Sequence, residues 1–305
     1  MDDRIVRLEG RRALTQYMLL MSLYRLVFNR WLYGIFCRSL ARFFAPGNQV
    51  VINVGVDREF RVYLNDGYWT RFLLYHRDYE PEVRRVMDAA DGHTDVFCDL
   101  GANSGLWSVY GSALFDRVVA VEASRVTFER LQENAAALPN VETHRAAIYN
   151  RSGETLRFVN VHNSHASAHL DLSVQSATRD DIEEVETLSI DDVVPTDLAA
   201  LIKLDVEGAE IAAIKGASRA LRDGSVLIYE DHGSEAHSDV SRHVLSLGDM
   251  HIYAIEDIAT QVTDADHLKR IKTDRYKGYN FLAGRADSKL LAAILENFAN
   301  DGSGR

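Results

Sequence analysis

A glycine-bearing loop, Asp-Leu-Gly-Ala-Asn-Ser-Gly at residues 99–105, directly follows an apolar run. Gly101 and Gly105 lack a Cβ, so the backbone can turn tightly there and approach a ligand. The loop is not the dinucleotide pattern GxGxxG, because Asn stands at position 103 and bulky Leu at position 106. It also lacks the Gly-Lys-Ser/Thr element of a phosphate loop. The loop therefore favours a cofactor without phosphates. Asp99 can accept a hydrogen bond from an ammonium group of such a cofactor.

A second polar position, Glu122, stands at the end of the next apolar run. A carboxylate there can accept both hydroxyl protons of a ribose. A ribonucleoside that also carries an amino acid is S-adenosylmethionine (SAM), which we take as the expected cofactor. An alternative is that the glycines serve ordinary strand-to-helix turn chemistry. The predicted cofactor contacts are Asp99, Gly101, Asn103, Ser104, Gly105, Glu122, Ala123 and Ala147.

Further acids end two later apolar runs, with Asp205 after one and Glu230, Asp231 and His232 after the other. Methyl transfer to an alcohol benefits from a base or a metal ion, because the hydroxyl proton is held tightly. Two routes are open. In the favoured one, Asp205 or His232 accepts the proton directly; in the other, Asp205 with Glu230 or Asp231 holds Mg²⁺. The predicted catalytic residues are Lys203, Asp205, Glu207, Glu230 and His232.

Several of these residues have structural alternatives. Lys203 can simply neutralise Asp205 or Glu207, and Glu207 can complement the dipole of the helix that it begins. His165 belongs to an Asn- and Ser-rich stretch with His162 and His169, which favours a substrate-binding loop over a zinc site. Tyr68 and Trp69 are predicted to contact the acceptor, with burial in a core as the alternative.

From about residue 94, short apolar strands alternate with helices, which predicts an α/β fold with a mostly parallel sheet of seven strands and helices on both faces. We predict four segments: a basic and aromatic helical segment at 1–48, a β-hairpin or cap at 49–80, the cofactor-binding domain at 81–286, and a C-terminal helix and tail at 287–305. Within 81–286, one helix is expected at 208–221 and a third strand at 141–148.

The net charge of −11 disfavours a nucleic-acid partner. Residues 1–45 are the exception, because their eight Arg outnumber three acids. The helices expected within 11–45 are therefore either packed on their own domain or a second subunit, or rest on anionic lipid. No signal peptide or membrane span is evident. We therefore expect a cytoplasmic protein that acts on a small molecule or glycan and has the option of a peripheral membrane contact.

The motifs resemble those of the FkbM-family methyltransferases. Phe97–Gly105 is similar to the first motif, Val119–Ser124 to the second, Glu186–Asp192 to a threonine–leucine–acidic element, and Leu201–Glu210 to the most specific element. The resemblance covers about residues 80–285 and leaves out 1–48; Ala123-Ser124 and Trp107 depart from the usual pattern. It implies a Rossmann-like class I fold and SAM-dependent O-methylation of sugar, glycolipid, polysaccharide or natural-product hydroxyls.

Two other functions are compatible with the same fold class. One is an NAD-dependent oxidoreductase, which the missing GxGxxG pattern disfavours. The other is a non-catalytic SAM-fold interaction protein, which the set of Asp99, Glu122 and Asp205 disfavours.

Overall fold

The computed structural model describes residues 5–26, 43–45, 47–55, 57–70, 79–159, 182–206, 208–234, 237–256 and 258–301. These residues form two compact units, one up to Tyr79 and one from Glu80 onward.

The first unit contains a three-stranded antiparallel sheet in the order β1-β2-β3. Its elements are β1 (Ile5–Glu9), α1 (Ala13–Leu26), β2 (Gln49–Asn53) and β3 (Glu59–Tyr63). The hairpin of β2 and β3 follows the predicted alternation of apolar residues, with Ile52 opposite Phe60. The segment at 1–48, expected to be helical, also contains a strand, because β1 pairs with β2. Of the helices predicted within 11–45, residues 27–42 lie outside the described residues.

Helix α1 buries Ala13, Tyr17 and Leu20 and exposes Leu14, Met18 and Leu19. None of the helices in the described ranges is long and apolar enough to cross a membrane. The membrane or subunit contact expected for 11–45 stays a prediction.

The second unit is built on a mostly parallel sheet in the order β6-β5-β4-β10-β11-β14-β12-β13. The strands from Glu80 onward are β4 (Val96–Leu100), β5 (Arg117–Glu122), β6 (Val141–Arg145), β7 (Ala147–Tyr149), β8 (Thr155–Val159), β9 (Ile182–Ser189), β10 (Leu201–Leu204), β11 (Val226–Glu230), β12 (Met250–Ile255), β13 (Ala259–Val262) and β14 (Asn280–Arg285). The helices are α2 (Pro81–Ala90), α3 (Leu106–Gly111), α4 (Arg125–Ala135), α5 (Ile190–Val193), α6 (Glu210–Lys215), α7 (Ser218–Arg222), α8 (Asp239–Ser246), α9 (Ala265–Ile271) and α10 (Lys289–Asp301).

This strand order is that of a Rossmann-like class I methyltransferase sheet, in which β14 is the antiparallel strand inserted beside β11. The expected fold class is confirmed. The sheet has one strand more than the predicted seven, because β13 folds back on β12 as an antiparallel edge.

Two predicted elements are each divided in two. The strand expected at 141–148 ends at Arg145, and β7 pairs instead with β9 in a separate sheet. The helix expected at 208–221 is interrupted between α6 and α7, where the backbone of Gly216 packs so closely that a Cβ would lie 2.6 Å from the carbonyl oxygen of Tyr149.

The central strands are apolar because the sheet is covered on both faces. Val96, Leu100, Ile202, Leu204 and Leu227 are all buried in one hydrophobic core. Burial of this kind fixes the register of β4 against β10, which pairs Asp99 with Lys203. The carboxyl ends of β5, β4, β10 and β11 therefore lie along one edge of the sheet.

Candidate active site

The loop after β4 folds back over β5. The backbone N–H groups of Gly101 and Ala102 each donate to the carbonyl oxygen of Val121 at 2.9 Å. Gly101 (φ +82°) and Gly105 (φ +88°) both adopt left-handed backbone conformations, which glycine tolerates best. A Cβ on Gly105 would lie 2.6 Å from Leu131 of α4. The turn therefore depends on both glycines.

Asn103 and Ser104 shape the loop. Asn103 has φ +52°, and its side-chain oxygen accepts from the backbone N–H of Ser104 at 2.7 Å. The Ser104 carbonyl accepts from Asn134 at 2.8 Å. Ser104 is buried, as is Ala147 on β7, whereas Ala123 keeps partial exposure beside Glu122.

Glu122 is held at the end of β5 by three hydrogen bonds. Its Oε2 accepts from the backbone N–H of Asn103 at 2.8 Å. Its Oε1 accepts from the backbone N–H of Ser124 at 2.8 Å and from the Thr127 hydroxyl at 2.9 Å. Burial raises the pKa of Glu122 even though these bonds favour the ionised form. The carboxylate is thus fixed, and Oε2, which accepts only one of these bonds, keeps a lone pair that can accept from a ligand.

Asp99, the last residue but one of β4, is 1% exposed. Its Oδ2 accepts from the Ser108 hydroxyl at 2.6 Å, while Oδ1 is buried and has no hydrogen-bond partner within the described ranges. Burial raises the pKa of the carboxyl group. A buried acceptor without a partner costs free energy, so Oδ1 fits the site of a ligand donor.

Lys203 and Asp205 form an ion pair at the end of β10, with 3.0 Å between Nζ and Oδ2. Burial lowers the pKa of Lys203, but the carboxylates of Asp205, Glu80 and Asp99 outweigh it and raise the pKa overall. Lys203 is therefore a fixed cation among several acids.

Glu80, which sequence analysis did not single out, belongs to this group. It directly precedes α2, and its Oε2 accepts from the indole N–H of Trp107 at 3.0 Å. Burial raises the pKa of Glu80 to about 7; Lys203 lowers it and Asp205 raises it. The Pro81 that follows marked only a helix start in the sequence, so nothing local identified Glu80 as a site residue.

Glu230 at the end of β11 is a second acid with a raised pKa. Burial, followed by the charges of Asp205 and Glu80, raises the pKa to about 8. Its Oε1 packs against Gly278, where a Cβ would lie 2.0 Å away. Gly278 is thus needed to seat this carboxylate.

The two residues after Glu230 have partners elsewhere. Asp231 is fully buried in an ion pair with Lys272 and accepts from the Ser241 hydroxyl at 2.6 Å. The Nδ1 of His232 accepts from the backbone N–H of Ser234 at 3.1 Å, so neutral His232 carries its proton on Nε2. Within the described ranges, no group of three or more His, Cys, Asp or Glu side chains is arranged to hold a metal ion.

The predicted acceptor contacts Tyr68 and Trp69 belong to the first unit. Trp69 is buried and makes edge-on contacts with Phe60 and Tyr79, at 5.5 Å and 5.4 Å between ring centroids. The hydroxyl groups of Tyr68 and Tyr79 are 3.1 Å apart. His165 and Glu207 lie outside the described residues.

Comparison with known proteins gives a consistent result. Residues 99–263, more than half of the chain, match the family model described as the methyltransferase FkbM domain. The chain is also 26% identical over 207 residues to the hexuronic acid methyltransferase AglP of Haloferax volcanii, an alignment that covers 63% of this chain and 83% of AglP.

Among solved structures, the methyltransferase FkbM from Methylobacillus flagellatus KT matches 89% of this chain at 17% identity, with a TM-score of 0.40. This chain spans 59% of that protein's length. The M. jannaschii protein TYW2, solved in complex with AdoMet, matches 78% of this chain and 84% of its own at 10% identity, with a TM-score of 0.38.

Proposed function

Because this chain belongs to the FkbM methyltransferase family, and is thus a SAM-dependent methyltransferase, we propose that it methylates a hydroxyl oxygen of a sugar-like acceptor. The family assignment replaces the oxidoreductase and non-catalytic alternatives. The main observation behind the hydroxyl acceptor is the Lys203–Asp205 ion pair, which lies among further carboxylates at the strand ends.

The described residues fit SAM. The orphaned Oδ1 of Asp99 suits the ammonium group, and the fixed carboxylate of Glu122 suits the ribose hydroxyls. When bound, SAM supplies an electrophilic methyl group on a sulfonium. The part of the protein is to orient the two reactants and to provide for the proton that the acceptor loses.

A neutral hydroxyl suits the charge of this edge. The charges of Asp205, Glu80 and Asp99 act on the buried cation Lys203, and the charges of Asp205 and Glu80 act on Glu230. An acceptor carboxylate would meet like charges and needs no proton acceptor, whereas a hydroxyl needs one. A sugar carries many hydroxyls, and the relative AglP is a hexuronic acid methyltransferase by name.

Of the two proton routes, we favour direct transfer to a side chain. Asp231, one of the expected metal ligands, is already engaged in an ion pair with Lys272. His232 is less suited to the role of base, because its unprotonated nitrogen already accepts from Ser234. These contacts favour a carboxylate as the proton acceptor.

The proposal is tested by incubating the purified full chain with SAM carrying a ¹³C-labelled methyl group and with glycans that contain neutral hexoses or uronic acids. The products are divided, and one half is treated with mild alkali, which cleaves methyl esters and leaves ethers intact. We expect alkali-stable label on a sugar. Glu122→Ala serves as the inactive control.

Label that mild alkali removes would place the methyl group on a carboxylate and contradict the hydroxyl acceptor. A chain that binds SAM but transfers no label to any of these glycans would contradict the sugar-like acceptor.

A further inference from the structure

We propose that Glu80 is a catalytic residue that accepts the proton of the acceptor hydroxyl during methyl transfer. This inference rests on the proposed function, which it deepens by identifying the base. Glu80 lies outside the sequence motifs from which the site was predicted.

The position of Glu80 supports this role. Its Oε2 is bound to the indole of Trp107, and Trp107 belongs to α3, the helix that starts at the end of the cofactor loop. The other oxygen, Oε1, takes no part in that hydrogen bond. The carboxylate is therefore anchored through one oxygen and retains the other for a proton.

Within the described residues, the charged and polar groups that act on Glu80 come from several elements. Lys203 and Asp205 lie at the end of β10, Glu82 lies on α2, and Trp107 lies on α3. The charge of Glu80 in turn raises the pKa of Glu230 at the end of β11. Glu82 is itself occupied, since it accepts from Asn280 at 3.0 Å.

Asp205 is less suited than Glu80 to take the proton. One oxygen of its carboxylate is already held by the Lys203 ammonium, at 3.0 Å. For Glu80, burial raises the pKa and the charge of Lys203 lowers it, which leaves the pKa at about 7. A base with a pKa near the working pH combines a useful ionised fraction with a real affinity for the proton.

Methyl transfer exchanges a carbon–sulfur bond for a carbon–oxygen bond and releases one proton. A lone pair of the acceptor oxygen forms the bond to the methyl carbon, and the carbon–sulfur bond breaks with its electron pair left on sulfur. The O–H bond of the acceptor breaks, and its proton moves to the Glu80 carboxylate. The products are the methyl ether, S-adenosylhomocysteine (SAH) and protonated Glu80, which returns its proton to water.

A consequence is measurable without any acceptor. A sulfonium near Glu80 favours the carboxylate, and the neutral thioether of SAH does not. At pH 7 about half of the Glu80 side chains are protonated before binding, given a pKa of about 7. Binding of SAM should therefore release up to about half a proton more than binding of SAH.

The experiment is calorimetric titration of SAM and of SAH into the full chain at pH 7, in buffers of different ionisation enthalpy, which gives the protons released. We expect the SAM–SAH difference in wild type to fall by up to about half a proton in Glu80→Gln and to stay unchanged in Glu142→Gln. Glu142 is a matched control, because it is paired with Arg117 at the surface. Thermal unfolding verifies that each variant is folded.

Turnover gives a second readout once an acceptor is known. Glu80→Gln should lower kcat by about 10²–10⁴-fold, with the Kd for SAM changed less than about tenfold. Trp107→Phe removes a hydrogen bond that favours ionised Glu80, so the acid limb of the kcat profile should move up by about one pH unit.

A SAM–SAH difference that Glu80→Gln leaves unchanged, or full turnover by that variant, would overturn the role of Glu80. A wild-type chain that binds neither SAM nor SAH would instead refute the proposed function, so the two failures are distinguishable.

Discussion

Gly101 faces Asp205 so closely that a Cβ on Gly101 would lie 1.8 Å from the carbonyl oxygen of Asp205. The two segments are also joined by a hydrogen bond from the backbone N–H of Asp205 to the carbonyl of Leu100, at 2.9 Å. The cofactor loop after β4 and the acidic end of β10 thus form one rigid junction. We therefore expect a change at Gly101 to disturb both the predicted cofactor loop and the position of Asp205.

Gly101→Ala should therefore weaken SAH binding by more than tenfold and lower the melting temperature. A matched control is Gly153→Ala, whose backbone has nearly the same φ of +80° but no atom within 4 Å of the added Cβ. Left-handed strain alone costs roughly 1–3 kcal/mol, and both variants carry it. Calorimetry and thermal unfolding of the pair isolate the contact with Asp205; equal affinities for SAH would refute its importance.

Much of the fold could be predicted because the central strands are short, fully buried apolar runs. Val96–Leu100 and Val226–Glu230 stand out by composition alone. β1 and β13 were missed, since edge strands with half-exposed residues such as Val6 and Thr260 carry a weak pattern. The break between α6 and α7 depends on a backbone contact of Gly216 with Tyr149, which no local signal reports.

Sequence reasoning could expect residues at the ends of parallel strands to lie at one edge of the sheet. Asp99, Glu122 and Glu230 are within the last two residues of their strands, and Asp205 directly follows β10. Glu80 could not be identified, since it reaches this edge from a helix start. The partner of Asp231 was equally hidden, because Lys272 is 41 residues away in sequence.

The raised pKa values of Glu80 and Glu230 predict a pH dependence of stability. A carboxyl group whose pKa is higher in the folded than in the unfolded protein binds more protons when folded, so stability falls as pH rises from about 4.5 to the folded pKa. For Glu230 that window ends at about 8. As pH rises through this window, the stability of Glu230→Gln relative to wild type should therefore increase by on the order of 3 kcal/mol.

The measurement is denaturant unfolding of wild type and Glu230→Gln without cofactor, from pH 5 to 8.5. Taking the difference between the two removes the contribution of other titrating groups. Glu142→Gln should show no such trend, because the Arg117 hydrogen bond lowers the pKa of Glu142. A constant difference for Glu230→Gln would show that burial does not perturb this group.

Removal of divalent cations should leave turnover unchanged, because we place proton transfer on a carboxylate. The assay compares enzyme treated with EDTA and desalted, the same enzyme with Mg²⁺ restored, and a magnesium-dependent enzyme treated in parallel. Activity that EDTA abolishes and Mg²⁺ restores would establish the alternative route through Asp205 and Glu230.

The most direct test of the central claim is calorimetric titration of the full chain with SAM and, separately, with NAD. We predict saturable one-to-one binding of SAM and no binding of NAD. Glu122→Gln should weaken SAM binding by at least about tenfold, because bonds to a charged acceptor are lost. Thr127→Val, which removes only one donor to Glu122, should weaken it less. Binding of NAD, or SAM affinity that Glu122→Gln leaves unchanged, would contradict the account.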